Sequence, residues 1–125
     1  MGVVGVESSL TGRVVNVRNI NEVIFKATAI STDMTGDGYR LDKLLIAAVQ
    51  VTSTGTLDGV VEFQLSNDGV NWAGSNNFTD IPLVPGTTQL AQSSMYIGAL
   101  WIRVFFNRTG GTGDLTCIMN AKGGA

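Results

Sequence analysis

The chain contains 125 residues, 44% of them hydrophobic and 14% charged, and this size and composition predict one domain with a sizeable core. A net charge of −2 with scattered basic residues disfavours a nucleic-acid partner, and the apolar runs are too short to span a membrane. With no histidine and a single cysteine, Cys117, the chain lacks the commonest general base and metal ligand and cannot form an intrachain disulfide.

The first segment, residues 1–12, is small, apolar and interrupted by glycine, and it has no clear period. Val3, Val4 and Val6 would serve no purpose in a disordered tail, so we predict an extended N-terminal arm that lies across a neighbouring subunit. The segment also lacks the basic start and apolar centre of a signal peptide. We therefore expect the chain to remain in the cytoplasm unless it leaves inside a larger particle.

The next part of the chain predicts strands and turns. Residues 13–18 read as a short strand, residues 19–21 as a turn and residues 22–30 as a second strand. Alternation in the second strand places four side chains on one face: Val23, Phe25, Ala27 and Ala29. Residues 31–38 are rich in turn-forming types. Residues 41–53 are ambiguous, since their apolar run could begin a helix, but β-branched residues favour a strand buried on both faces.

The clearest predicted strand covers residues 60–66, where Val61, Phe63 and Leu65 share one face. Asp68-Gly69 then supplies the positive φ that a tight hairpin requires. Residues 80–84 predict a short strand that Pro82 confines to the edge of a sheet, and residues 88–94 predict another.

Residues 101–107 carry large apolar side chains on both faces, which predicts a central strand. Residues 108–113 predict a glycine-rich hairpin loop, residues 114–120 the returning strand, and residues 122–125 a flexible tail. The pattern predicts an all-β fold, an antiparallel two-sheet sandwich or jelly roll of about eight strands. The predicted domain is residues 13–121, preceded by the arm.

Few residues suggest a catalytic, metal-binding or phosphate-binding site. Asp33, Thr35 and Asp37 have the spacing of calcium ligands, but Leu44 occupies the position of the final acidic ligand, and a solvated turn is the better interpretation. The glycines at 110, 111 and 113 join two strands rather than a strand and a helix, so they do not form a phosphate loop. No pair of carboxylates can be proposed from the sequence. We therefore expect no catalytic residue, no metal and no cofactor.

Four aromatic residues are the types that stack on sugar rings: Trp72, Phe78, Tyr96 and Trp101. Glycan stacking by Trp72, Phe78 and Tyr96 is one hypothesis. The alternative is structural, because a tryptophan beside a hairpin commonly plugs the end of a sandwich and one in a central strand commonly lies in the core.

Two segments carry a resemblance to a known class of proteins. Residues 63–72 include Ser-Asn-Asp-Gly-Val-Asn-Trp, and residues 101–123 include Ile-Arg-Val, Thr-Gly-Gly-Thr-Gly and a final Asn-Ala-Lys-Gly. Together they resemble small β-sandwich virion proteins of tailed bacteriophages, over about the last two thirds of the chain. The Asp-Gly-x-Asn-Trp piece alone is also similar to the hairpin of discoidin-type carbohydrate-binding modules.

The phage resemblance implies a non-enzymatic virion protein that is assembled in the host cytoplasm. Capsid decoration or cement is the first expectation, with the major capsid protein or other virion subunits as partners and a homodimer or homotrimer as the state. The resemblance also covers head fibres and tail or neck adaptors. A carbohydrate-binding β-sandwich module is the remaining alternative.

Overall fold

The computed structural model describes residues 17–41, 46–74, 78–93 and 97–124, so the predicted arm lies outside the described residues. The described part of the chain contains strands and no helix. The strands are β1 (Val17–Ile30), β2 (Met34–Thr35), β3 (Tyr39–Arg40), β4 (Ile46–Ser53), β5 (Asp58–Ser66), β6 (Ala73–Gly74), β7 (Ile81–Pro82), β8 (Thr88–Gln92), β9 (Trp101–Gly110) and β10 (Gly113–Gly124).

The strands form two antiparallel sheets. The four-stranded sheet has the order β1-β10-β4-β8, and the six-stranded sheet has the order β2-β9-β5-β6, with β3 also pairing with β9 and β7 with β5. Since β2 and β3 share one edge and β6 and β7 the other, the ten strands occupy eight positions. This strand order, with the chain passing repeatedly between the sheets, is that of a jelly roll. The predicted all-β, two-sheet fold is confirmed.

The core lies between the two sheets, where alternate residues of each long strand point inwards. The four-stranded sheet contributes mainly from β4 and β10, and the six-stranded sheet from β5 and β9. Each of the following side chains is at most 2% exposed: Val49, Val51, Leu115, Cys117, Met119, Val61, Phe63, Ile102, Val104 and Phe106.

The predicted features of the six-stranded sheet are largely confirmed. Strand β9 is central, since it lies between β2 or β3 on one side and β5 on the other. Gly69 has the predicted positive φ, at 74°. Pro82 lies in β7, which pairs only with β5 among the described strands and so occupies the edge. The strand that returns after Gly69 is β6, which has only two residues.

Strand β1 departs from the prediction in two ways. The predicted turn at residues 19–21 is wrong, because β1 pairs with β10 continuously from Val17. A bulge between Val23 and Phe25 also shifts the register, so Val23 is 53% exposed while Phe25 is buried. These two residues therefore do not share a face, and Ile24 is the extra buried residue.

The strand predicted within residues 41–53 is confirmed as β4, but only one of its faces is buried. Buried and more exposed residues alternate along it, and Ile46 on the outer face is 44% exposed. The prediction that both faces are buried is wrong, because no layer covers the outer face of a two-sheet sandwich among the described residues.

The glycine-rich segment at residues 108–113 is not a hairpin loop. Strand β9 belongs to the six-stranded sheet and β10 to the four-stranded sheet, so the segment crosses between the sheets. It runs beside the β4–β5 crossing, where Thr54 N donates to Asp114 O (3.0 Å) and Thr56 N to Thr112 O (3.0 Å). Strand β10 then continues to Gly124, opposite Val17, so residues 122–124 are sheet rather than a flexible tail.

Candidate interaction surfaces

The loop after β5 is held by hydrogen bonds to one carboxylate. Asp68 Oδ1 accepts from the backbone N–H groups of Asn71 and Val70 (both 2.8 Å) and from Ser66 Oγ (2.9 Å), and its Oδ2 accepts from Asn71 Nδ2 (2.8 Å). The backbone N–H of Asn71 is the main reason that the pKa of Asp68 lies well below its usual value of 3.8. The Ser-Asn-Asp-Gly-x-Asn-Trp sequence therefore fixes a loop whose last residue is Trp72.

Trp72 belongs to a cluster on the outer surface of the six-stranded sheet. The guanidinium of Arg103 stacks on Trp72, with Cζ 4.4 Å from the ring centroid, and Arg103 Nε donates to Gln64 Oε1 at 2.7 Å. Nearby, Arg40 Cζ lies 5.4 Å from the ring centroid of Trp101. We call this surface the tryptophan face, defined by Arg40, Gln64, Trp72, Trp101 and Arg103.

Gly38 brings the two tryptophans together. A Cβ at this position would lie 3.0 Å from Trp72 Cη2 and 3.3 Å from Trp101 Cε3. Residue 38 therefore packs against both rings, and a larger side chain would push them apart. Both tryptophans remain partly exposed beside it. Sequence reasoning missed this cluster, although the alternation of β9 does place Trp101 and Arg103 on one face.

The candidate glycan-stacking residues have different positions. Trp72 is half-buried, and one face of its ring lies under Arg103. Phe78 is 4% exposed and packs on Phe63, with ring centroids 4.9 Å apart, so the structure removes it from the stacking candidates. Tyr96 lies outside the described residues, as do Val3, Val4 and Val6 of the arm. Trp101 is on the outer face rather than in the core.

The outer face of the four-stranded sheet is a second surface, which we call the uncharged face. Val23, Ile46 and Leu90 project from it with 53%, 44% and 60% of their surface exposed. Amide and hydroxyl side chains surround them, and Thr52 Oγ1 lies 3.1 Å from Thr88 Oγ1. Three cross-strand rows span all four strands of the face: Val23, Ile118, Gln50 and Leu90; Asn21, Asn120, Ala48 and Gln92; and Lys26, Thr116, Thr52 and Thr88. A further row beyond Asn120 and Ala48 contains Lys122 and Ile46.

Charge is confined to the ends of the uncharged face. Lys26 lies in the row at one end, and Lys122, which pairs with Ile46, lies at the other. None of the described residues in these rows is Asp or Glu, although the whole chain has a net charge of −2. The surface is therefore neutral at its centre and able to form contacts by shape and hydrogen bonds.

The two open edges of the sandwich each contain a groove of about 320 Å³. One groove lies between β1 and the β2 region and is lined by residues 23–27 and 34–37. The other lies between β7 and β8 and is lined by residues 79–82 and 89–92. Each groove faces solvent along the boundary between the two sheets.

The described residues contain no group of three or more His, Cys, Asp or Glu side chains that could hold a metal ion. Asp33, the first residue of the calcium-like spacing, accepts a hydrogen bond from the backbone N–H of Arg108 at 2.8 Å. Its role is to join the segment before β2 to β9. In the part of the chain that the structure covers, no helix is long and apolar enough to cross a membrane.

Comparisons with known proteins give a likeness at the level of fold. No protein-family model and no curated protein matches the chain. The crystal structure of SPBc2 prophage-derived protein YomS matches with a TM-score of 0.63 and 10% identity, over 89% of this chain and 98% of YomS. A chain in the structure of infectious bursal disease virus, Gx strain, matches with a TM-score of 0.53 and 10% identity, over 99% of this chain and 37% of the viral chain. The likeness is one of fold alone.

A third similar chain comes from the disulfide-linked pili of Bacillus endospore appendages. It is 13% identical, the match covers 93% of this chain and 96% of that one, and the TM-score is 0.49. This score is too low to support an argument about function.

Proposed function

We propose that the protein is a non-enzymatic structural protein of a bacteriophage virion, and specifically a capsid decoration or cement protein. It binds major capsid subunits and stabilises the shell. The observation that carries this proposal is the uncharged face, on which exposed aliphatic side chains lie among amides and hydroxyls.

The chemistry of the uncharged face suits a permanent contact. Leu90 and Val23 would bury apolar area, while Gln50, Thr52 and Asn120 would form hydrogen bonds across the contact. The centre of the surface carries no charged side chain that a partner would have to strip of water. Burying charged side chains is a costly step in forming many interfaces.

The fold supports a viral structural role in general terms. A jelly roll is an architecture of viral capsid domains, and both a prophage-derived protein and a chain of a virus structure resemble this fold. Neither likeness names a position in the particle. The specific assignment to the capsid lattice therefore remains a proposal that depends on the surface chemistry.

The proposed partner contacts include the N-terminal arm. Val3, Val4 and Val6 would bury apolar area on a neighbouring subunit and extend the contact of the domain. We propose a homodimer or homotrimer, because symmetric positions on a capsid select symmetric binders. The protein would then be located in the virion.

A tail or neck adaptor, or a fibre protein, is the alternative of the same kind. The uncharged face would bind tail subunits as well as capsid subunits by the same contacts. The position of the gene separates the two alternatives at little cost, since neighbouring capsid genes favour decoration and neighbouring tail genes favour an adaptor.

A carbohydrate-binding module is the alternative of a different kind, and the tryptophan face favours it. Trp72 and Trp101 are half-buried and flanked by arginines, a combination that occurs in sugar sites. Titration with glycans while following tryptophan emission tests this alternative. Unchanged emission would exclude stacking on either ring, whereas a saturable shift would make glycan binding the favoured function.

Electron cryo-microscopy of particles from the source is the experiment that tests the proposed function. Density for this jelly roll on the capsid lattice, with the uncharged face against major capsid subunits, is the expected result. Density at the tail alone would replace decoration with an adaptor role, and no density anywhere would remove the virion proposal.

Variants of the purified protein then identify the contacting face. Leu90→Lys places a charge on the uncharged face and should reduce occupancy of the particle. Val70→Lys is the matched control, since Val70 is 76% exposed on the loop after β5, away from that face. Equal occupancy by both variants would exclude the uncharged face as the contact.

A further inference from the structure

The two open edges of the sandwich are protected to different degrees. At the β7–β8 edge, Gln89 bridges the strands: its Oε1 accepts from Val84 N and its Nε2 donates to Pro82 O, both at 3.0 Å. Pro82 has no N–H to offer to an added strand, and residues 83–87 connect the two strands. Short edge strands, proline and a covering side chain are common protections against strand addition.

At the β1–β2 edge, β1 is neither short nor interrupted by proline, although it is bulged between Val23 and Phe25 and between Ala27 and Ile30 and carries the charged Lys26. Strand β1 has 14 residues and pairs with β10 on one side, while no described strand of its sheet pairs with the other side. The adjacent β1–β2 groove (residues 23–27 and 34–37) is lined by Phe25 and the partly buried Met34. Lys26, Thr35 and Asp37 also line the groove, so its lining is part apolar and part polar. A long edge strand beside such a groove is a site for an added strand.

We propose that the β1–β2 groove binds the N-terminal arm of a second copy of this chain as an added strand on β1. In an extended strand, Val4 and Val6 point to the same side, and there they meet the apolar part of the groove, formed by Phe25 and Met34. The backbone of the arm supplies hydrogen bonds to the free edge of β1. This deepens the proposed function, on which it rests for the role of the arm as a partner contact.

The position of the arm in the sequence favours a second copy over the same chain. Residues 13–16 include Val14 and Val15, which disfavour the positive φ of a tight hairpin, and the glycine nearest to β1 is Gly12. A chain that reverses at Gly12 pairs residue 6 with residue 18 and residue 3 with residue 21. The valines of the arm would then stop short of the groove in their own chain.

Disulfide trapping tests the inference with purified protein and no particles. A Val4→Cys chain is mixed with a tagged Ala27→Cys chain, because Ala27 is partly exposed, lines the β1–β2 groove and pairs with Leu115, whose side chain faces the core. The native Cys117 should not interfere, since it is 0% exposed and burial raises the pKa of its thiol to about 12. The control mixes the Val4→Cys chain with a Val70→Cys chain, whose cysteine is exposed outside the groove.

The expected result is a mixed disulfide between the Val4→Cys and Ala27→Cys chains, and no mixed disulfide when Val70→Cys replaces Ala27→Cys. Equal trapping at both positions, or no trapping, would overturn the inference. A Val4→Cys/Ala27→Cys double variant that forms only an intrachain disulfide on dilution would also overturn it, because the arm would then occupy the groove of its own chain.

The mass in solution provides a second readout. The full chain should be oligomeric, while a chain lacking residues 2–12 and a Val4→Asp/Val6→Asp variant should both be monomeric with unchanged thermal unfolding. Oligomers that persist in both variants would contradict the inference. These measurements use purified protein without particles. If they contradict the arm inference, shell binding by the uncharged face is still tested separately by particle occupancy.

Discussion

The guanidinium of Arg103 lies over the indole of Trp72, with Cζ 4.4 Å from the ring centroid. This contact joins the central strand β9 to the loop after β5, and a hydrogen bond from Arg103 Nε to Gln64 Oε1 also holds the guanidinium. The outer surface of the six-stranded sheet is therefore ordered by a cation–π contact rather than by apolar packing alone.

A double-mutant cycle on this pair should show favourable coupling. With Trp72→Leu, Arg103→Met and the double variant, we expect a coupling of about 0.5–1 kcal/mol in the free energy of unfolding, measured with urea. Arg108→Met in place of Arg103→Met is the control, since Arg108 instead donates to Gly111 O. Coupling of the same size with Arg108→Met would show that the contact is not specific.

The loop around Asp68 should make stability depend on acid pH. The folded state lowers the pKa of Asp68 below the usual 3.8, so the unfolded chain takes up a proton first as the pH falls. The stabilising effect is present above pH 3.8 and is lost as the pH falls towards the folded pKa.

This dependence can be measured by urea unfolding from about pH 5 to pH 2. Asp68→Asn should be less stable at pH 5 and lose less stability on acidification than the natural chain. Asp80→Asn, at another exposed carboxylate, should keep the acid dependence. An Asp68→Asn curve parallel to that of the natural chain would refute the assignment.

Phe78 should act on stability rather than on ligand binding. Its ring is 4% exposed and packs on Phe63, so Phe78→Ala should lower the free energy of unfolding by about 3–5 kcal/mol. Phe105→Ala removes a half-buried ring from the outer face of the six-stranded sheet and should lower the free energy of unfolding by less. Thermal or urea unfolding compares the two, and an equal or smaller loss for Phe78→Ala would show that Phe78 is not part of the core.

In the crossing between β9 and β10, replacing Gly111 with alanine should lower the stability of the protein, while the same change at Gly110 should not. Gly111 has φ +68°, and a Cβ there would collide with Thr56 O, so Gly111→Ala should cost at least about 1 kcal/mol. Gly110→Ala is the matched control, because a Cβ there meets no atom within 4 Å. Urea midpoints that fall equally for both variants would contradict this account of the crossing.

The interaction surfaces were only partly readable from the sequence. The alternation of β9 placed Trp101 and Arg103 on one face, and Asp68-Gly69 predicted a turn with positive φ before Trp72. That these residues meet around Gly38 depends on the pairing of β3 with β9 and on the path of the loop. Such contacts join residues more than 30 positions apart, and no local pattern specifies them.

The sequence by itself determined the local features of the fold. The alternation of Val61 and Phe63 with polar residues defined a half-buried strand, Gly69 marked a turn with positive φ, and Pro82 marked an edge. Each of these depends on sterics or on side-chain alternation within a few residues, which the sequence carries directly.

Only the tertiary structure decided which strands pair and which faces are covered. The glycines at 110–113 were compatible with a hairpin, yet β9 and β10 pair with different partners, β5 and β4 among them, in opposite sheets. The bulge that turns Val23 outwards likewise arises from the register with β10. Sheet partners are chosen by hydrogen bonds and core packing summed over the whole domain, so the physical reason lies in long-range contacts that no single segment contains.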